Sequence, residues 1–203
     1  MTQIRTRPLF PNHTEETLRN ILKSSPQELW LETIRRTRGP EHDTLVHWMI
    51  SQTQCDFAVA VHAFFRSDPG QYLDMPRPLP TRPGPSDIFA QLLLNWDTGY
   101  YRSHQLAVER QDVDPRQLIR INQKVMARAR GSLPFNIPRR FLDPEGGSPS
   151  QLATHLSPDE SVHLWPIYSE LGLRVHKAPP GLARKLAHVR DFFFRFGVPS
   201  RAS

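Results

Sequence analysis

The sequence predicts a mainly α protein: a compact multi-helix domain with a Pro-rich connector, followed by a helical C-terminal extension. Three observations predict it. Apolar residues recur at three- and four-residue spacing in a series of short segments. Several segments open with one start signal, an acid or hydroxyl followed by proline: Ser25-Pro26-Gln27-Glu28, Asp68-Pro69, Asp114-Pro115 and Ser157-Pro158-Asp159-Glu160. Proline reaches 20 of 203 residues, about twice ordinary usage, so the chain is broken too often for long elements.

Taken in order, Asn12 and Glu15 have capping-box spacing ahead of Leu18, Ile21 and Leu22, which predicts a helix over about 13–23. Ser25 caps a second helix on which Leu29, Trp30 and Ile34 share a face. Arg35, Arg36 and Arg38 suit its C-terminal dipole, and Gly39-Pro40 ends it. Asp43 or Thr44 caps a third helix through about Gln52, carrying Leu45, Trp48 and Met49. Asp56 caps a fourth, Phe57 to Arg66, whose sequence FAVAVHAFFR is apolar nearly all round and therefore central. A strand competes there, since Val59 and Val61 alternate with alanines; the alanines and the cap decide for helix. Asp68-Pro69 opens a turn ending near Tyr72.

Residues 76–85, PRPLPTRPGP, hold five prolines in ten and form a polyproline-like surface connector. Asp87 caps a helix with Ile88, Leu92, Leu93 and Trp96. Gly99-Tyr100-Tyr101 is a turn, and a helix over about 103–110 follows. From Asp114-Pro115 a helix runs to Arg130 and stops at Gly131, its apolar stripe being Leu118, Ile121, Val125 and Ala129. The domain spans residues 1–142 and 143–156 is a linker. The extension, 157–203, carries one helix with Val162, Trp165, Tyr168 and Leu171, kinked at Pro166. Its last helix, from Gly181 to Phe196, has Phe192 and Phe194 off the main apolar stripe of Leu182, Leu186, Val189, Phe193 and Phe196.

Composition excludes several classes. One cysteine rules out an internal disulfide framework and a Cys-rich zinc module. Mean hydropathy is −0.51 and no apolar run of membrane-spanning length exists. The stretch from Met1 to His13 lacks the apolar core of a secretory signal, so the expected compartment is the cytoplasm. The net charge of +6 is unevenly placed. Residues 41–75 hold one basic and five acidic side chains, whereas residues 76–142 hold eleven basic and five acidic. The basic block suits a polyanion or an acidic partner, and equally suits pairing with the acidic block inside the molecule.

Residues about 45–142 resemble an uncharacterised bacterial helical domain family, a domain of unknown function. The resemblance rests on Cys55-Asp56, Ala58, Ala60, Phe64, Asp68-Pro69, Tyr72 and Gly99-Tyr100-Tyr101, and covers roughly half of the chain. It implies a compact helical domain and carries no activity, cofactor or catalytic residue with it.

Candidate chemistry is sparse. Asp43 and His47, four apart on a helix, suit an acid–base or metal pair, and equally a surface hydrogen bond near a cap. Cys55 beside Asp56, with His62 on the next helix, suits a thiolate nucleophile, and equally a buried small apolar residue with a core histidine. His155, His163, His176 and His188 fit no metal spacing, and GxSxG, Walker and GxGxxG motifs are absent, so no metal or cofactor is expected. The sharpest surface feature is a basic stripe at four-residue spacing, Arg116, Arg120, Lys124 and Arg128, with Arg130, Arg139 and Arg140 beyond it. Its cations, about 6 Å apart along a helix, suit phosphates or partner carboxylates, or simply face solvent. The expected function is a non-enzymatic interaction module, a bacterial adaptor or an immunity-type protein. It would bind a protein partner through the arginine face or through Phe192 and Phe194 of the last helix, with a homo-oligomer as a further possibility. Nucleic-acid binding by the stripe is one alternative. An enzyme using Cys55 or the Asp43/His47 pair is another.

Overall fold

The computed structural model describes residues 15–37, 39–128, 132–152 and 167. The chain divides into two compact units, Met1–Leu152 and Ala153–Ser203. In the second, Ile167 is helical and buried; the expected linker end and the C-terminal helices with Phe192 and Phe194 lie outside the described residues.

The first unit is α-helical, with no strand among the described residues. Its helices are α1 (Glu15–Lys23), α2 (Gln27–Arg36), α3 (Asp43–Ile50), α4 (Phe57–Arg66), α5 (Pro69–Asp74), α6 (Ile88–Asp97), α7 (Pro115–Met126) and α8 (Arg139–Leu142), with 3-10 turns at Pro40–His42 and Arg110–Asp112.

Helix α4 is the core. Asp56 accepts from the Ala58 amide at 2.9 Å, and eight of the ten α4 residues are buried, leaving His62 and Arg66 to reach outward. Helices α2, α3 and α6 pack around it. Their buried faces, Leu29, Trp30 and Ile34, then Leu45 and Met49, then Ile88, Leu92 and Leu93, follow the periodicity of the sequence. The short α8 contributes one decisive side chain. Phe141 is fully buried, with ring centroids 5.0 Å from Phe64, 5.3 Å from Trp96 and 5.5 Å from Phe57. Tyr101 adopts φ +61° to point inward, where its hydroxyl donates to Ile50 O at 2.7 Å and receives the Asn95 amide at 3.1 Å.

Several boundaries differ from the sequence expectation, each for a local reason. Ser25 does not cap α2; its hydroxyl donates to Ile21 O at 2.7 Å and closes the end of α1. Neither Asp43 nor Thr44 caps α3, which ends at Ile50 rather than Gln52, because the Asp43 carboxylate is drawn to Arg66. Asp87 accepts from the Gly84 amide at 3.0 Å instead of capping α6. Asp114 does cap α7, accepting from the Arg116 and Gln117 amides, but that helix ends at Met126, short of Arg130.

The largest correction concerns the helix expected over residues 103–110, which does not form: residues 103–109 are not helical, and only the 3-10 turn begins at Arg110. This stretch is an extended strap tied to Asp56, whose Oδ2 accepts from the Ser103 hydroxyl at 3.1 Å and the Gln105 amide at 2.8 Å. Residues 105–107 also pair with Ser148 in an isolated bridge. Gly147 permits that approach: its φ is +80°, and a Cβ there would lie 2.1 Å from Leu106 O. Gly147→Ala is therefore expected to destabilise this unit by about 2 kcal/mol, from the left-handed penalty plus the clash. Chemical denaturation checks this, with Gly146→Ala as comparison, since a Cβ at Gly146 would be no closer than 3.7 Å to the Arg140 guanidinium.

Candidate functional site

The basic stripe leans on the end of α5 along much of its length, with the Arg120 side chain still 48% exposed. Arg120 and Lys124 both pair with Asp74 at the end of α5, and Arg128 donates to Leu73 O. The reason is charge complementarity. The C-terminal end of α5 offers a carboxylate and free carbonyls, which attract cations as a helix dipole does. Arg116 and Arg139 are exposed, Arg139 at 91% of its side chain. Arg140 lies 5.9 Å from the Phe57 ring and 3.9 Å from Glu145. Arg130 lies outside the described residues.

The cysteine and histidine candidates take separate partners. Cys55 is fully buried, its Sγ 3.6 Å from Asp56 O, and burial pushes the thiol far up, away from the thiolate form. His47 Nε2 meets Gln91 Oε1 at 3.2 Å, while Asp43 accepts from Arg66 at 2.8 Å. Burial holds the Asp43 carboxyl above its usual value despite that cation. His62 is half-buried, and its Nδ1 lies 3.2 Å from Asp112.

Asp112 is the centre of a cluster that the sequence did not disclose. Arg35 donates to both its oxygens at 2.7 Å, and the Glu109 amide donates to Oδ2 at 2.9 Å. The Asp112 side chain has 0% exposure and that of Arg35 has 7%. Burial alone would raise the Asp112 carboxyl, but hydrogen bonds from Arg35 and His62 outweigh it and hold the group below its usual range. Beside this cluster lies a cavity of about 280 Å³ lined by Arg35, Thr37, Gly39, His62, Arg66 and Gln111. Arg35 is answered there by Asp112, Glu32 and Glu109; Arg66 pairs with Asp43 through Nη2, whereas its buried Nη1 has no hydrogen-bond partner among the described residues. The cluster therefore joins α2 to α4 and to the turn before α7 more than it presents charge to a ligand. The one sequence hint was the three-residue spacing of Glu109 and Asp112, which forms a capping box. Among the described residues, no group of three or more His, Cys, Asp and Glu side chains is placed to hold a metal ion.

A different face is open. Beyond α5 a groove of about 540 Å³ is bounded by Gln71, Tyr72, Met75, Pro76, Arg77 and Ser86, among others. Tyr72 is held by stacking on Phe89, with centroids 4.4 Å apart. Met75 is 79% exposed. From Met75 to Ser86 the chain carries Arg77 and Arg82 and no carboxylate.

What the fold and these surfaces define is a mainly α domain with an open groove beside a proline-rich strap. No protein-family model matches the chain, and no curated protein or solved structure is similar enough to match it. Among the described residues, no helix is long and apolar enough to cross a membrane.

Proposed function

We propose that this chain is a non-enzymatic protein-interaction module, of adaptor or immunity type, whose partner surface is the edge formed by the end of α5 and residues 75–86. The carrying observation is Met75, a large apolar side chain left 79% exposed beside a groove that Arg77 also borders. The strap's two arginines have no acid among them, so the fitting partner surface is acidic around an apolar anchor. Exposed Arg116 and Arg139 add positive charge to the outer surface. Nucleic acid is the less favoured ligand, because Arg120, Lys124 and Arg128 already lean on α5.

Affinity capture with the purified full chain, against a Met75→Glu/Arg77→Glu variant, tests this reading. A stoichiometric protein retained by the wild type and lost by the variant is the expected result. Capture of nothing, of the same proteins by both chains, or of material released by nuclease contradicts it.

A further inference from the structure

We infer that helix α7 is a self-association surface: two copies of this chain pair antiparallel through Leu118, Ile119, Val125 and Met126, with Asn122 at the two-fold axis. The inference concerns a different face from the groove beside the strap and stands independently of it.

An amphipathic helix in a compact unit buries its apolar stripe against its neighbours. Helix α7 does so in small part. Of its 12 residues only Ile121 is buried. Leu118 and Val125 are half-buried, whereas Ile119 is 58% exposed and Met126 84%. The helix leans on α5 through its opposite side, where Arg120 and Lys124 reach Asp74. At about 100° per residue, Val125, Leu118, Asn122, Met126 and Ile119 fall in that order within one arc of about 120°. That arc is an apolar face open to solvent, three turns long and interrupted by a single amide side chain.

The order of the residues says what fits this face. Leu118 and Ile119 stand four and three residues before Asn122, and Val125 and Met126 stand three and four after it. A surface with that symmetry is complementary to itself, which is what a two-fold interface requires. Laid antiparallel on a second copy, Leu118 faces the other copy's Val125, and Ile119 faces its Met126. Asn122 meets its own counterpart, where each amide can donate to the other and accept from it. One polar pair in an apolar seam fixes the register. The charges agree with this arrangement. Asp114 lies eight residues before Asn122 and Arg128 six after it, on the same flank of the helix. In the antiparallel pair they stand within about 3 Å of each other along the axis. Asp114 is exposed and caps α7 through Oδ1, so its Oδ2 is available to the second copy's guanidinium. Four apolar side chains make a seam below the ~1,200 Å² of standard interfaces, so the pair is weak, with a dissociation constant on the order of 100 µM.

Sedimentation equilibrium of the full chain, from about 10 µM to about 1 mM, brackets that value. The wild type is expected to pass from monomer to dimer across the range. Ile119→Glu and Met126→Glu should each raise the dissociation constant roughly tenfold or more, and Asn122→Leu should lower it, because a polar pair in the seam costs stability. Met75→Glu, at the groove, should leave it unchanged. All four side chains are exposed, so circular dichroism should show the wild-type fold in each variant. A wild type that stays monomeric throughout overturns the inference. So does a dimer that both glutamate variants on α7 leave intact, or one that Met75→Glu disrupts. Association unchanged or weakened by Asn122→Leu takes Asn122 off the axis and overturns the antiparallel register. If the wild type is monomeric but a captured protein is lost on Met126→Glu, the face serves another partner and the inference falls.

Discussion

Asp56→Ala is expected to lower the unfolding free energy of the helical unit by about 3 kcal/mol or more, read from urea denaturation by circular dichroism. Loss of the α4 cap accounts for about 1 kcal/mol. The remainder comes from the other oxygen, which accepts from the Gln105 amide and the Ser103 hydroxyl in a residue with 0% exposure. Stranded buried donors cost about 1–3 kcal/mol each. Asp56→Asn separates the two roles. It can still accept from Ala58 with one atom, but it presents an NH2 toward the strap, so it should fall between the wild type and alanine. If alanine costs less than about 1 kcal/mol, the strap is held by something other than Asp56.

The second large effect is at Asp112. Asp112→Ala leaves the Arg35 guanidinium, whose side chain is 7% exposed, without its two-point partner. Breaking a buried pair from one side costs about 3–5 kcal/mol. Glu32 and Glu109 remain near Arg35, so the lower end is expected. Replacing both members, as in Arg35→Met/Asp112→Leu, should recover most of the loss, because apolar replacements of a buried pair are often neutral. The pH dependence has a definite sign. The folded carboxyl titrates below its usual value, so its stabilisation is fully present above the unfolded pKa of about 3.9 and is lost as pH falls through the lower folded value. The wild type should therefore lose stability steeply below about pH 4, and the double variant should lose less over that window. Equal acid limbs would mean that Asp112 is not held ionised by Arg35 and His62.

What the sequence made legible was local. The Asp56 cap followed by FAVAVHAFFR identified α4, and the Asp114-Pro115 start identified α7. In both, capping residues and periodicity lie within a few turns of each other. What escaped depends on distant partners. The strap at 103–110 reads as a helix until Asp56, 49 residues before Gln105, takes its amide and Gly147 lets Ser148 approach. The arginine stripe has the right period, but its destination, Asp74, lies 46 and 50 residues from Arg120 and Lys124. Asp112 is invisible as a centre because Arg35 is 77 residues away. Phe141 lies between Pro138 and Pro144 with no helical periodicity around it, yet it fills the space between Phe57, Phe64 and Trp96. The proline-rich strap was legible in part: five prolines in ten exclude helix and strand from 76–84, and none forms there, but the bend at Thr81 and Arg82 was not legible.

The most direct test of the account is hydrogen–deuterium exchange on the full chain, alone and saturated with the protein that it captures. The predicted result is new protection concentrated between Gln71 and Ser86, with the α7 amides unchanged. Protection confined to residues 115–128, with none between Gln71 and Ser86, would contradict it.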